Sequence, residues 1–595
     1  AAADTEVQPF RPAPAPLRTP AATAWRTALA PCTTVGQPGA YTPLVLDDAG
    51  RLYLHRAWDH EQSLADGILA RCTAVPVDEQ LLRAGLDRYF PAAAESPDWQ
   101  RVAAAACLTR RFAVISGGPG TGKTTTVARI LALALEQAGG NGLDIALAAP
   151  TGKAALRLRH SILQATEQLG LPDSIRQRMP DQVRTIHRLL GTMPGSTAFR
   201  HGRANPLPCD LLVVDEVSMV DLPLMARLLE ALPPDSRMIL LGDRDQLASV
   251  EAGAVLADIC NHGALTPFSA EFRRQVERLC GPLSTGTESA PPSPPHPAFG
   301  HPLPTGEGEQ YTFSLWEKDR MRDQEGDGVK PLSSAPSPLA DSVVQLQTSY
   351  RFGTTSGIGS LSRLINDGQG DASLDLLRSG RHEDLVWRPL PAATEFAAAF
   401  TTAAREGYAG YSRCTTPATA LEALERFRVL APHRAGLCGV ENLNRLAGAA
   451  LGLRHAEGQP WCPLQALMVT ANNYELGLFN GDTAVLLDDP GSGRLAAYFP
   501  DPDAEGGLRR LSPLRLPPCE PALALTVHKS QGSEFDHVLL ILPEHPSETL
   551  SRELLYTAVT RARKRVEIWG SAEVFLAAVE RRIERSSGLK ARLWP

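Results

Sequence analysis

The sequence has no apolar run approaching the ~20 residues needed to cross a bilayer, so no membrane-spanning helix is expected. Its 10 cysteines are scattered and form no C-x-x-C pair. Neither a zinc site nor a disulfide framework follows, and reduced thiols in a cytoplasm are the plain expectation. An excess of positive charge is also missing: the formal net charge is -7. Any nucleic-acid site must therefore be a local basic groove rather than a global property. Aromatic residues reach only 6%, and no aromatic-rich basic run reads as a base-stacking platform. The opening stretch, "AAADTEVQPFRPAPAPLRTP", lacks the apolar core of a signal peptide, so export is not expected.

What is present is ample material for several cores. The chain has 595 residues, 43% of them hydrophobic. Residues 1–16 read as a loose Pro/Ala leader. Residues 17–97 carry helical stretches such as "DEQLLRAGLDRYF" but no phosphate or metal motif. From 98 to 280, short apolar strands alternate with amphipathic helices: Phe112–Ile115, Ile145–Ala149, Leu211–Val214 and Met238–Leu241. Each is followed by polar residues, the pattern of a parallel sheet covered on both faces with ligands at its carboxyl edge. Residues 281–340 turn rich in Pro, Ser and Gly and are expected to be a disordered insertion. A second αβ region follows over 341–595. Within it, at about 465–522, apolar runs around Asp489-Pro490-Gly491 predict a hairpin in a small β insertion.

The phosphate chemistry begins at "GGPGTGKTT". Gly117-x-x-x-x-Gly122-Lys123-Thr124 has the spacing of a P-loop. Its glycines turn backbone N–H groups toward a phosphate, and the helix that follows adds its positive N-terminal end. Lys123 is expected to reach the β and γ oxygens and the Thr124 hydroxyl to ligate Mg²⁺. "LLVVDE" supplies the partner acids: Asp215 for the metal shell and Glu216 as the base that polarises water. Alone, such a pair often only caps a helix. "LLGDRDQ" repeats the strand-then-polar design and offers Gln246 as a γ-phosphate reader. Arg351, in "TSYRFG", and Arg561 and Arg563, in "TRARKR", are candidates for an arginine donated across a cleft.

The order of these motifs resembles that of superfamily 1 helicases: "GGPGTGKTTT", "APTGKAALRL", "TIHRLLG", "VVDEVSM", "LGDRDQLASVEAG", "YRFG", "TVHKSQGSEFD" and "YTAVTRARKR". More narrowly it resembles the RecD family, the alpha subunits of exodeoxyribonuclease V, over about Arg51 to Trp569. The 281–340 tract departs from that pattern. The resemblance implies an α/β fold with two RecA-like P-loop domains, a mostly helical N-terminal domain that docks a partner, and a small SH3-like β insertion. It implies ATP and Mg²⁺ in the cleft, and 5′-to-3′ movement on single-stranded DNA. It also implies a heterotrimer with beta and gamma subunits acting on DNA duplex ends, with the nuclease on a partner chain. Residue by residue, it carries nucleotide contacts onto Gln100, Gly117, Gly118, Pro119, Gly120, Thr121, Gly122, Lys123, Thr124, Thr125 and Glu534. DNA contacts fall on Pro150, Thr151, Lys153, His187, Thr526, His528 and Lys529.

Two other functions fit parts of the sequence. An ATP-driven switch that binds protein without tracking DNA would use the same arginines. A nuclease in its own right would have to use clustered acids such as "DPDAE" near Asp501, which no apolar strand positions. Trp58, Tyr89 and Phe90 are expected to be aromatic docking anchors of the N-terminal region.

Overall fold

The computed structural model describes residues 21–91, 97–193, 196, 198–249, 253–260, 268–283, 337–353, 355–454, 460–473, 475–501, 504–583, 585 and 587–594. The expected leader and most of the expected Pro/Ser/Gly insertion, 284–336, lie outside the described residues.

After helix Ala22–Leu29 the described chain forms a small sheet of β1 (Val35–Gly36), β2 (Leu44–Leu46) and β3 (Leu52–Leu54). The first of the two RecA-like motor domains that the resemblance implies, the first motor, is built on a six-stranded parallel sheet. In chain order its strands are β4 (Phe112–Gly117), β5 (Ile145–Ala149), β6 (Val183–Thr185), β7 (Leu211–Val214), β8 (Arg237–Gly242) and β9 (Val343–Leu346). In space they run β6-β5-β7-β8-β4-β9. Alternate strand residues point to opposite faces, and both faces are covered. Ala113, Ile115, Leu211, Val213, Ile239 and Leu241 enter one core. Phe112, Val114, Leu212, Val214, Met238 and Leu240 enter the other. This is why the strands read as continuous apolar runs.

The second motor carries a five-stranded parallel sheet, in spatial order β10 (Leu385–Arg388), β19 (Ala562–Trp569), β18 (Phe535–Ile541), β11 (Phe427–Ala431), β17 (Ala524–Thr526). Between β11 and β17 the chain makes an antiparallel five-stranded insertion: β12 (Ala466–Val469), β13 (Thr483–Asp488), β14 (Leu495–Pro500), β15 (Leu508–Leu511) and β16 (Cys519–Pro521). β13 and β14 form the hairpin predicted around Pro490-Gly491.

The expected boundaries change in three places. β9 lies beyond 341 but pairs in parallel with β4, Val343 opposite Val114, so it belongs to the first sheet. The described chain resumes at Ser337, before the expected 340, and Leu339 is fully buried in the first motor. The C-terminal helix Leu589–Leu593 also returns to the first motor, where Arg592 Nε reaches Glu61 Oε1 at 3.1 Å.

The N-terminal region is not an independent body. Helix His55–Arg71 buries Leu64, Ala65 and Ile68, a one-turn spacing, in the same core as helix Leu222–Ala231. Helix Glu79–Tyr89, capped by Asp78, sends Leu82 and Leu86 into the opposite core. Each such aliphatic side chain contributes about 1.5–3 kcal/mol of transfer free energy. Tyr89 and Phe90, expected as exposed anchors, are only 3% and 1% exposed. The Tyr89 hydroxyl donates to Glu136 Oε1 at 2.6 Å. Trp58 is half-buried beneath the Arg592 guanidinium, 5.4 Å from its ring centroid.

Candidate active site

The carboxyl edge of the first sheet holds the site because each strand ends there in a loop. β4 runs into the glycine loop, β7 into Asp215 and β8 into Asp243. Gly120 and Gly122 have φ of +77° and +80°, the left-handed region in which a Cβ costs energy. Helix Lys123–Ala138 starts directly after Gly122, so its unpaired N–H groups face the loop. Lys123 Nζ donates to the carbonyls of Gly117 at 2.6 Å and Gly118 at 3.2 Å. Gln100, in the first turn of a helix capped by Asp98, donates Nε2 to Thr121 O at 3.1 Å.

A cavity of 310 Å³ opens above this loop. Pro119, Gly120, Thr121, Gly122, Lys123, Thr124 and Thr125 line it from the P-loop. Asp215, Glu216, Gln246 and Arg351 come from other loops of the first motor, and Glu534 and Arg561 from the second. Glu216 is one of two non-glycine residues with positive φ among the described residues, at 52°. Its neighbour's carboxylate accepts its backbone N–H at 2.9 Å. Burial, reinforced by the Glu216 carboxylate, pushes Asp215 up to about 6. An acid raised by burial beside a second carboxylate suits a divalent cation, and Thr124 and Asp215 supply the hard oxygen donors such an ion takes. Gln246 donates Nε2 to Asp243 Oδ2 at 3.0 Å and keeps a buried Oε1 with no protein partner.

The arginines are arranged around Glu534. Arg351 NH2 donates to its Oε1 at 2.7 Å and Arg563 Nε to its Oε2 at 3.3 Å. Arg157 also pairs with Glu534 Oε1. Burial alone would raise Glu534, but Arg157 and Arg351 outweigh it and hold the carboxyl well below the usual range. Arg561 is 2% exposed and donates to the carbonyls of Ser533 at 3.1 Å and Thr557 at 3.2 Å. Arg157 was missed in the sequence. It stands four residues after Lys153 on helix Gly152–Gln168, one turn along, and that spacing was the available signal.

The residues expected to face DNA do not converge in this way. Pro150 follows β5, and Thr151 caps helix Gly152–Gln168 by accepting Ala154 N at 3.2 Å. A Cβ placed on Gly152 would meet Phe479 and Asp482 of the insertion at 3.1 and 3.2 Å. Lys153 is half-buried there, and that burial, with Arg428 nearby, lowers it to about 8. His187 packs edge-on against Phe199 at 5.9 Å. His528 is half-buried, which lowers its pKa, with Arg585 as the second cause. Thr526 and Lys529 line a separate 540 Å³ cavity in the second motor, where Lys529 Nζ meets Glu520 Oε1 at 2.5 Å. The larger cavity is thus not the one that holds the phosphate motifs.

Residues 100–252 match the family described as an AAA domain, and residues 521–568 a UvrD-like helicase C-terminal domain. The RecBCD enzyme subunit RecD of Mycolicibacterium smegmatis is 38% identical over 587 residues, covering 96% of this chain and 87% of that one. The subunit of the same name from Haemophilus influenzae is 34% identical over 571 residues, 91% of this chain and 80% of that one. The ATP-dependent RecD2 DNA helicase of Deinococcus radiodurans is 29% identical over 555 residues, 91% of this chain and 59% of that one.

Proposed function

This chain belongs to the RecD family of RecBCD enzyme subunits, and from that premise we propose that it hydrolyses ATP with Mg²⁺ to move 5′-to-3′ along single-stranded DNA. It is a DNA-dependent ATPase and a helicase subunit. It works within a heterotrimer, with beta and gamma subunits, that opens DNA duplex ends in recombinational repair in the cytoplasm. One observation carries the reading. Lys123, Thr124, Asp215 and Glu216 of the first motor share one cavity with Glu534 and Arg561 of the second. A nucleotide between them would make its turnover depend on closure of the two motors.

The residue roles follow from chemistry and position. Lys123 neutralises phosphate oxygens, and the glycine-loop N–H groups hold them. Mg²⁺, when bound, neutralises charge on the phosphates, with Thr124 and Asp215 as its protein ligands. Glu216 orients and deprotonates the attacking water, and Gln246 hydrogen-bonds the γ-phosphate region. Arg351 and Arg561 stabilise charge on the transferring group. Gln100 borders the loop where a base would lie, and Glu534 stands where a ribose hydroxyl could be accepted. Pro150, Thr151, Lys153, His187, Thr526, His528 and Lys529 are the proposed DNA contacts.

Partner docking is proposed for the N-terminal region on a revised set of residues. Trp25, Tyr41, Leu52 and Leu54 are 45%, 97%, 42% and 56% exposed around the small opening sheet. Amphipathic aromatic and aliphatic side chains left in water suit a protein partner better than solvent. Replacing Tyr41 and Leu54 by Ser should abolish co-purification with the gamma-type subunit while sparing ATPase; undiminished co-purification would remove this surface from the interface.

The deciding test of the main reading is ATPase activity of the purified full chain with and without single-stranded DNA. Strong stimulation supports a DNA motor. Turnover indifferent to DNA would instead favour the protein-directed switch.

A further inference from the structure

The seam between the motors is closed by a set of buried hydrogen bonds that the phosphate motifs alone do not explain. Asp243, at the end of β8, is 2% exposed and its Oδ2 takes two donors. One is Gln246 Nε2 at 3.0 Å, from its own loop. The other is the Tyr556 hydroxyl at 2.9 Å, from the second motor. The same hydroxyl lies at the phosphate loop: a Cβ on Gly118 would sit 3.0 Å from it.

The next residue on each side repeats the grip. Thr557 Oγ1 accepts the backbone N–H of Leu247 at 2.9 Å. Gln531, in the segment that carries Thr526 and His528, donates Nε2 to Leu247 O at 2.6 Å. Leu247 is 2% exposed and packs in the hydrophobic core of the second motor, although its chain belongs to the first. Thr557 also accepts Arg561 Nε through its carbonyl at 3.2 Å. The helix Arg552–Val559 therefore holds the cavity arginine with one group and the first motor with two others.

We propose that Tyr556 is a positioning residue: its hydroxyl fixes Asp243, and through it Gln246, against the helix that carries Arg561, so that nucleotide state and DNA engagement are read together. The inference rests on the motor reading above and assigns its regulation. The physical reason is the setting. Hydrogen bonds to a buried carboxylate are stronger than those between neutral groups, and neither Asp243 nor Gln246 can be re-solvated while the seam is closed. Opening the seam must break the Tyr556 and Thr557 contacts together. The Gln531 contact to the same Leu247 lets the proposed DNA-facing segment bias that event. Tyr556 is not among the residues that line the phosphate cavity, so its effect should fall on coupling rather than on nucleotide affinity.

The test compares Tyr556→Phe with the unmutated full chain, because this change removes only one oxygen and keeps the ring packing. ATP turnover is measured without DNA and at saturating single-stranded oligonucleotide, with thermal midpoint and the KM for ATP alongside. DNA-stimulated kcat should fall about tenfold, with basal turnover and KM changed less than about twofold and the thermal midpoint little altered. Asp243→Asn, with Tyr556→Phe and the double variant, completes a cycle whose effects on stimulated kcat should be non-additive. Equal loss of basal and stimulated turnover, or additive effects in the cycle, would overturn the coupling role. So would stimulation unchanged from the unmutated chain. If the unmutated chain itself shows no stimulation, the motor reading fails and this inference falls with it.

Discussion

The surfaces proposed for phosphate and for DNA are built on opposite plans. Around the 310 Å³ cavity, seven loops and helix starts bring acids, a lysine and arginines to one point. On the proposed DNA side, Gly152, between Thr151 and Lys153, abuts the β insertion while Thr526 and Lys529 line a different cavity. A nucleotide's phosphates are compact, so every group that acts on them must converge. A DNA strand is long and its charge repeats, so contacts are distributed and each carries a share. Losing one group should therefore be severe in the first region and graded in the second.

Lys123→Gln gives the hardest test of that contrast. Turnover should fall by about 10⁴-fold, because the charge serves both bound phosphate and transition state, while far-UV circular dichroism stays native. A folded variant with near-normal DNA-stimulated ATPase would end the assignment. Arg561→Ala should come next, lowering kcat by about 10³-fold with nucleotide affinity nearly kept. An equal loss of nucleotide affinity would make Arg561 a ground-state ligand. On the other side, Lys529→Ala should weaken single-stranded DNA binding modestly and reduce the salt slope by about 1, with kcat at saturating DNA unchanged. A collapse of kcat there would erase the distinction between the two regions.

Smaller effects sharpen the picture at its edges. Glu534 is held below the usual carboxylate range, so its ion pairs stabilise the fold above its unfolded pKa of about 4.3 and are lost as pH falls through the folded value. The stability advantage of the native chain over Glu534→Gln, read from urea midpoints, should shrink on going from about pH 6 toward about pH 3. A constant gap would show that packing rather than charge is responsible. Tyr89→Phe should cost about 1–3 kcal/mol of stability through the Glu136 hydrogen bond and leave ATPase intact. A lost partner interaction without lost stability would return Tyr89 to the role of docking anchor.

Much of the fold was legible. β4, β7 and β8 fall where apolar runs end in glycine or acids and β5 where one ends at Pro150, because a sheet buried on both faces permits little else along the strands. The β13–β14 hairpin followed from its turn residues. β9 was not legible as a first-motor strand, since "VVQL" suits either sheet and only its pairing with Val114–Gly117 decides. Tyr89 and Phe90 were misread for a similar reason. Aromatic side chains on a short helix look alike whether they face a partner or the chain's own core.

By itself the sequence determined the make-up of the first motor's edge: which loop is glycine-rich and turns, which strand ends in paired acids, which residues follow them. Those are local properties, set by backbone freedom at Gly120 and Gly122 and by the period of buried strands. The tertiary structure alone decided how the second motor meets that edge. It put Leu247 into the far core, Tyr556 on Asp243, Arg157 on Glu534 and the C-terminal helix back onto Glu61. Each joins residues more than a hundred positions apart, and no local pattern encodes such a partner, because the free energy of the contact exists only once both cores have formed.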